Sequence, residues 1–144
     1  MTASNVSFGR YGKSFQEGLV QLIYEDRPFA DQITEVLRHD FLELEYLRVF
    51  LQKVTDYRDR YGRHPSVHAI TTILKTDLDE EEEVLQRQVR EYFMRIHQRE
   101  VTDIEFIKET SLDFCRKQNL KEAMLKSVNL LQNSSFDEIS TVIN

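Results

Sequence analysis

The stretch DRYGRHPSVHAITTIL, residues 59–74, holds two of the four histidines, one of the four glycines and one of the two prolines of the chain. It lies between two segments of clear helical period, so its reading sets where one helix stops and the next begins. Upstream, Leu44, Leu47, Leu51, Val54, Arg58 and Tyr61 step by three or four residues, with Phe50 and Tyr57 widening the apolar face. Gly62 follows the last turn of that helix, where glycine takes the left-handed cap without a Cβ penalty. Pro65 disfavours a helical His64. Ser66 can cap the next helix, whose face is Val67, Ile70, Ile73 and Leu74. The stretch is thus predicted to be a cap-and-proline turn between two helices.

The same period extends outward in both directions. Residues 1–13 are small and polar with no period, and predict a flexible arm. Ser14, with Glu17 three residues on, predicts the cap of a first helix carrying Phe15, Leu19, Leu22 and Ile23 and ending near Asp26. Pro28 suits the first turn of a second helix with Phe29, Ile33, Val36 and Leu37. After the turn, the acidic run DLDEEEE at 77–83 reads as a solvated helix start, where carboxylates meet exposed amides. Leu85, Val89, Tyr92, Phe93 and Ile96 form the face of the helix that follows. Asp103 can start a sixth helix with Ile104, Ile107, Phe114 and Cys115 on its stripe, passing RKQN at 116–119 into Leu120, Met124, Val128 and Leu131. No glycine or proline occurs from Val101 onward, so this span is either one helix of nearly thirty residues or two joined at RKQN. NSS at 133–135 predicts a turn, and Phe136, Ile139, Val142 and Ile143 a final helical face. Strand signals are poor throughout. The expected fold is all-α: a globular helical head over residues 14–100, then a helical hairpin over 101–144. The missing stop signal at Asn144 reads as a piece of a longer protein.

Composition agrees with one soluble folded domain: 144 residues, 40% hydrophobic and 31% charged. The net charge of −6 argues against a chain whose main task is to grip phosphates, because such domains carry a basic patch. The single cysteine, Cys115, forms no internal disulfide and reads as a buried structural thiol. No apolar run reaches the length of a membrane span and no signal-peptide core is present, so the protein is read as cytoplasmic.

No GxxxxGK[ST] loop and no GxGxxG occurs. Gly9, Gly12, Gly18 and Gly62 are too scattered to cradle a nucleotide. His64 and His68 share the i, i+4 spacing of a zinc pair, but Pro65 places His64 outside the helix and no HExxH is formed, so they read as a loop histidine and a first-turn histidine. His39 and His97 read as surface residues. The acidic run lacks the spaced oxygens and central glycine of a calcium loop. The best nucleic-acid candidate is Arg58, Arg60 and Arg63 interleaved with Tyr57 and Tyr61, diluted by Asp56 and Asp59; a solvated helix end is the ordinary reading. No catalytic residue, cofactor site or metal site is assigned.

The order and spacing of these elements carry a resemblance. In residues 15–74 Asp26 and Phe29, then QITEVL, then Phe41, precede a long helix that ends on Tyr57, Tyr61, Gly62, Pro65 and Ser66. In FCRKQNLKEAMLKSVNLLQNSSFDEISTVIN a long helix with Arg116 near its middle turns into a helix opening with Asp137 and Glu138. Over about residues 14–144 the chain resembles the N-terminal domain of DnaB-type replicative DNA helicases, in the form found in large tailed phages. The resemblance implies a helical head and hairpin that form a collar, associate with other subunits as a dimer or hexameric ring, and contact primase in DNA replication. ATP and Mg would belong only to a C-terminal ATPase domain beyond this chain, and DNA contact here would be weak or absent. On this reading the expected interface is the hairpin's apolar stripe, Leu120, Met124, Val128, Leu131, Phe136 and Ile139, the alternative being that these residues pack inside the domain's own core. The competing expectations are a stand-alone helical adaptor or helicase loader that binds a replication protein, and a small DNA-binding module using Tyr57–Arg63.

Overall fold

The computed structural model describes residues 7–133. It is all-helical, with no strand among the described residues. Among the described residues six α-helices follow in order: α1 Gly12–Glu25, α2 Arg27–Ile33, α3 Glu45–Tyr61, α4 Val67–Thr76, α5 Glu83–Ile96 and α6 Ile104–Asn133. Short 3₁₀ turns at Phe8–Tyr11 and His39–Phe41 complete the chain path.

Helix α1 is the centre of the fold. Every residue from Phe15 to Tyr24 is buried, so the helix is enclosed on all sides by α2, α3 and α6. The apolar face expected from Phe15, Leu19, Leu22 and Ile23 is therefore only part of its buried surface. A helix enclosed all round must satisfy its polar side chains internally. Gln16 accepts the Glu43 amide at 2.8 Å through Oε1, and Gln21 donates to the carbonyls of Ile96 (3.2 Å) and Arg99 (3.0 Å).

The expected arm is corrected from Ser7 onward. Phe8 is fully buried, with its ring 4.5 Å from Phe114, and Ser7 caps its turn by accepting the Gly9 amide at 3.1 Å. The helix that follows starts at Gly12 and not after Ser14, and Tyr11 makes no side-chain cap there. Residues 1–6 lie outside the described residues. Helix α2 is capped by Asp26, which accepts the Phe29 amide at 3.1 Å, with Pro28 in its first turn. It stops at Ile33, leaving Val36 and Leu37 packed on the core from a turn.

The turn at 59–74 takes the expected form. Gly62 sits at φ 65° and its amide donates to the Arg58 carbonyl. Ser66 accepts the Ala69 amide at 3.1 Å. In α4, Ile70 and Leu74 are buried but Val67 is exposed. Within the acidic run Leu78 is fully buried and pins the loop before α5 to the body.

Helix α6 runs unbroken through RKQN for 30 residues. Its buried positions, including Ile107, Ser111, Phe114, Cys115 and Gln118, fall in the first half, while Ile104 is exposed. Packing on the body therefore continues past the boundary expected at residue 100. It reaches Asn119, whose amide donates to the Val36 carbonyl at 3.0 Å, and ends at an exposed pair between Arg38 and Glu122. The second arm of the expected hairpin, with the turn before it, lies outside the described residues.

Candidate functional site

Once α6 has passed the Arg38–Glu122 pair, it carries a run of apolar side chains that nothing in the described chain covers. Leu120 is 61% exposed, Met124 59%, Leu125 61%, Val128 44% and Leu131 64%. At about 100° per residue, Leu120, Met124, Val128 and Leu131 fall within an arc of about 80°. The buried positions of the same helix, from Ile107 to Gln118, are centred roughly 130° further round. The distal stripe therefore does not continue the face that α6 packs on the body, and points away from it. Residues 123–133 extend about 16 Å beyond the last body contact at 1.5 Å per residue. Leu120, Met124, Val128 and Leu131, expected at the interface, are thus placed together on a single exposed face. Phe136 and Ile139 lie outside the described residues. Leu125, exposed beside the stripe, was not singled out in the sequence.

Two cations border this face: Arg116 and Lys121 are exposed and make no ion pair among the described residues, while Lys126 falls on the opposite side of the helix. Lys117 pairs with Asp113 at 2.9 Å, and Glu122 is held by Arg38. The arrangement suits a partner with an apolar ridge and acidic flanks. No family model, curated protein or solved structure matches the chain.

Two other candidate regions prove to be structural latches. His64, expected as an exposed loop histidine, is half-buried. Its Nδ1 lies 2.8 Å from an Arg58 guanidinium nitrogen and its Nε2 2.5 Å from the Tyr24 carbonyl. A guanidinium can only donate and a carbonyl can only accept, so the contacts call for Nδ1 as acceptor and Nε2 as donor. Both nitrogens are engaged, and Arg58 also bonds Asp31. This removes Arg58 from the basic patch and leaves Arg60, packed 5.5 Å over Tyr61, and Arg63. Of the other histidines, His68 and His97 are exposed and His39 is half-buried. Among the described residues no group of three or more metal-ligating side chains is assembled.

The second region was missed in the sequence. Glu17, only 4% exposed as a side chain, pairs with Arg95 at 2.7 Å and Arg99 at 3.0 Å and accepts the Tyr46 hydroxyl. Burial pushes its carboxyl up, but Tyr46, Arg95 and Arg99 together outweigh burial and hold it below the ordinary range. Tyr92 donates to the Glu17 carbonyl at 2.6 Å, so the cluster ties α1 to α3 and α5. Its partners are 29 to 82 residues away, and no local pattern could reveal it. Cys115 is fully buried, and burial pushes its thiol up to about 12, as suits a structural residue. Among the described residues no helix is long and apolar enough to cross a membrane.

Proposed function

We propose that this chain is an assembly module that works by self-association through the distal half of α6, as the N-terminal collar domain of a replicative DNA helicase. The observation that carries the reading is the exposed face of Leu120, Met124, Val128 and Leu131, turned away from the body. Monomers rarely leave such a run of large apolar side chains bare. The resemblance to DnaB-type N-terminal domains supplies the biological setting: subunit association and primase contact in replication, with ATP hydrolysis assigned to a separate ATPase domain.

Magnitudes set what the face can do. Completing the burial of five partly exposed apolar side chains gains about 1–2 kcal/mol each. The gross gain of roughly 5–10 kcal/mol is similar to the cost of association, about 4–15 kcal/mol. The stripe alone therefore supports weak, concentration-dependent association. Light scattering after size exclusion, over a wide concentration range, tests the proposal. The expected mass rises above that of one chain with concentration. Met124→Asp with Leu131→Asp should return it to monomer with unchanged helicity. A monomer at every concentration would defeat the reading and favour a helical adaptor that binds a different protein.

A further inference from the structure

We infer that the cleft between α2 and α3 binds a small phosphate ester that carries hydroxyl groups, held at its phosphate by Arg27 and Arg63. The cleft follows from register. Arg27, Asp31 and Thr34 step by four and three along α2 and its C-cap, so they share one face. Thr55, Arg58, Asp59 and Gly62 share one face of α3 and its C-cap in the same way. The two faces meet around a cavity of about 200 Å³, completed by Arg63 and His64 from the turn at 59–74. Pockets that enclose drug-sized ligands measure roughly 300–1,000 Å³, so the occupant here is small. Among the described residues no apolar side chain lines the cavity, so what it binds must be polar.

The lining groups divide into a frame and a set left open. Arg58, 15% exposed, is held by Asp31 and His64, and His64 reaches on to the Tyr24 carbonyl, so these groups frame the cavity by bonding one another. Arg27 and Arg63 are exposed and form no ion pair among the described residues. Two open guanidiniums at one small cavity run against the net charge of −6. A guanidinium fork matches the oxygens of a phosphate, and two forks from different elements fix its orientation. The remaining open groups accept. The Thr34 hydroxyl donates to the Ala30 carbonyl at 2.7 Å and that of Thr55 to the Gln52 carbonyl at 3.2 Å, so each presents only lone pairs to a ligand. Asp59 is the one lining carboxylate without an ion pair among the described residues. A bare anion would use the arginines alone and be repelled by Asp59. A phosphate ester with hydroxyls on its body uses both sets, because its hydroxyl protons meet Asp59 and the threonine oxygens.

The site involves neither the α6 stripe nor self-association, so it stands whether or not the chain assembles. Isothermal titration calorimetry at low ionic strength, with ribose 5-phosphate and with inorganic phosphate as probes, tests it. Ribose 5-phosphate should bind about tenfold more tightly than inorganic phosphate, the scale of one hydrogen bond to a charged group. Arg27→Gln and Arg63→Gln should each weaken the sugar phosphate about tenfold while the circular dichroism spectrum is kept. Arg60→Gln, which alters an arginine outside the cavity, should leave binding unchanged. Asp59→Asn should narrow the gap between the two probes, by weakening the ester and relieving the repulsion of the bare anion. Three results would each overturn the inference: no binding of ribose 5-phosphate, equal binding of the two probes, or binding that survives Arg27→Gln with Arg63→Gln.

Discussion

Glu17 holds a carboxylate inside the fold, and three side chains make that tolerable. Tyr46 donates to it, and Arg95 and Arg99 reach it with side chains that are 41% and 40% exposed. Truncating one member of a buried charge cluster costs about 3–5 kcal/mol when the others stay buried. Here the arginines can turn to water, so Glu17→Ala should cost about 3 kcal/mol, at the low end of that range, measured by urea unfolding at neutral pH. The pH dependence follows from the depressed carboxyl. An unfolded chain protonates Glu17 near the ordinary 4.5, while the folded chain resists until lower pH. Its contribution is therefore complete above that range and is lost as pH falls through the folded value. Glu17→Gln should be less stable than the original at pH 7 and should lose less on acidification, as read from unfolding midpoints across pH 3–7. Asp26 acts in the same direction, since Lys108 and the Phe29 amide hold its carboxyl low.

Helix ends were legible in the sequence wherever the signal is local. Gly62 and Ser66 bond atoms within four residues, so spacing alone located the turn at 59–74. The start of α1 was not legible. Ser14 and Glu17 imitate a capping box, but Glu17 is drawn instead into contacts with α3 and α5. Phe8, more than a hundred residues from Phe114, brings the described end of the expected arm into the core. The residues proposed for an interface on α6 could be nominated from their period, but their exposure depended on where Asn119 and Glu122 end the packing. Two glycines separate backbone need from packing need. At Gly62 a Cβ meets nothing within 4 Å, so Gly62→Ala pays only for the left-handed backbone, about 1 kcal/mol. At Gly18 a Cβ would lie 3.1 Å from Ile107 Cδ1, where α1 and α6 approach. Gly18→Ala gains about 0.5–1 kcal/mol of helix propensity inside α1 and sets it against displacing that methyl, so how far Ile107 gives decides the sign. Thermal unfolding should show Gly18→Ala to be more favourable beside Ile107→Val than alone, with no such coupling for Gly62→Ala.

At the scale of the whole molecule, the body and the distal half of α6 stand on different footings. The body encloses α1 on all sides, and its amides should open only with large parts of the fold. Residues 123–133 form about three helical turns with no partner in the described chain, and isolated helices of that length are marginal in water. Their amide protection should therefore be low in dilute protein and should rise with concentration as copies associate, because binding stabilises the bound segment by mass action. Hydrogen exchange read by mass spectrometry at two concentrations, tens of micromolar apart from sub-micromolar, makes the comparison within one protein. Peptides from α1 and α3 should exchange alike at both, while those from 123–133 should slow at the higher concentration. With Met124→Asp and Leu131→Asp that difference should vanish and the body should be unchanged. If 123–133 were equally protected in dilute and concentrated protein, the stripe would have a partner within its own chain, and association would have to use another surface.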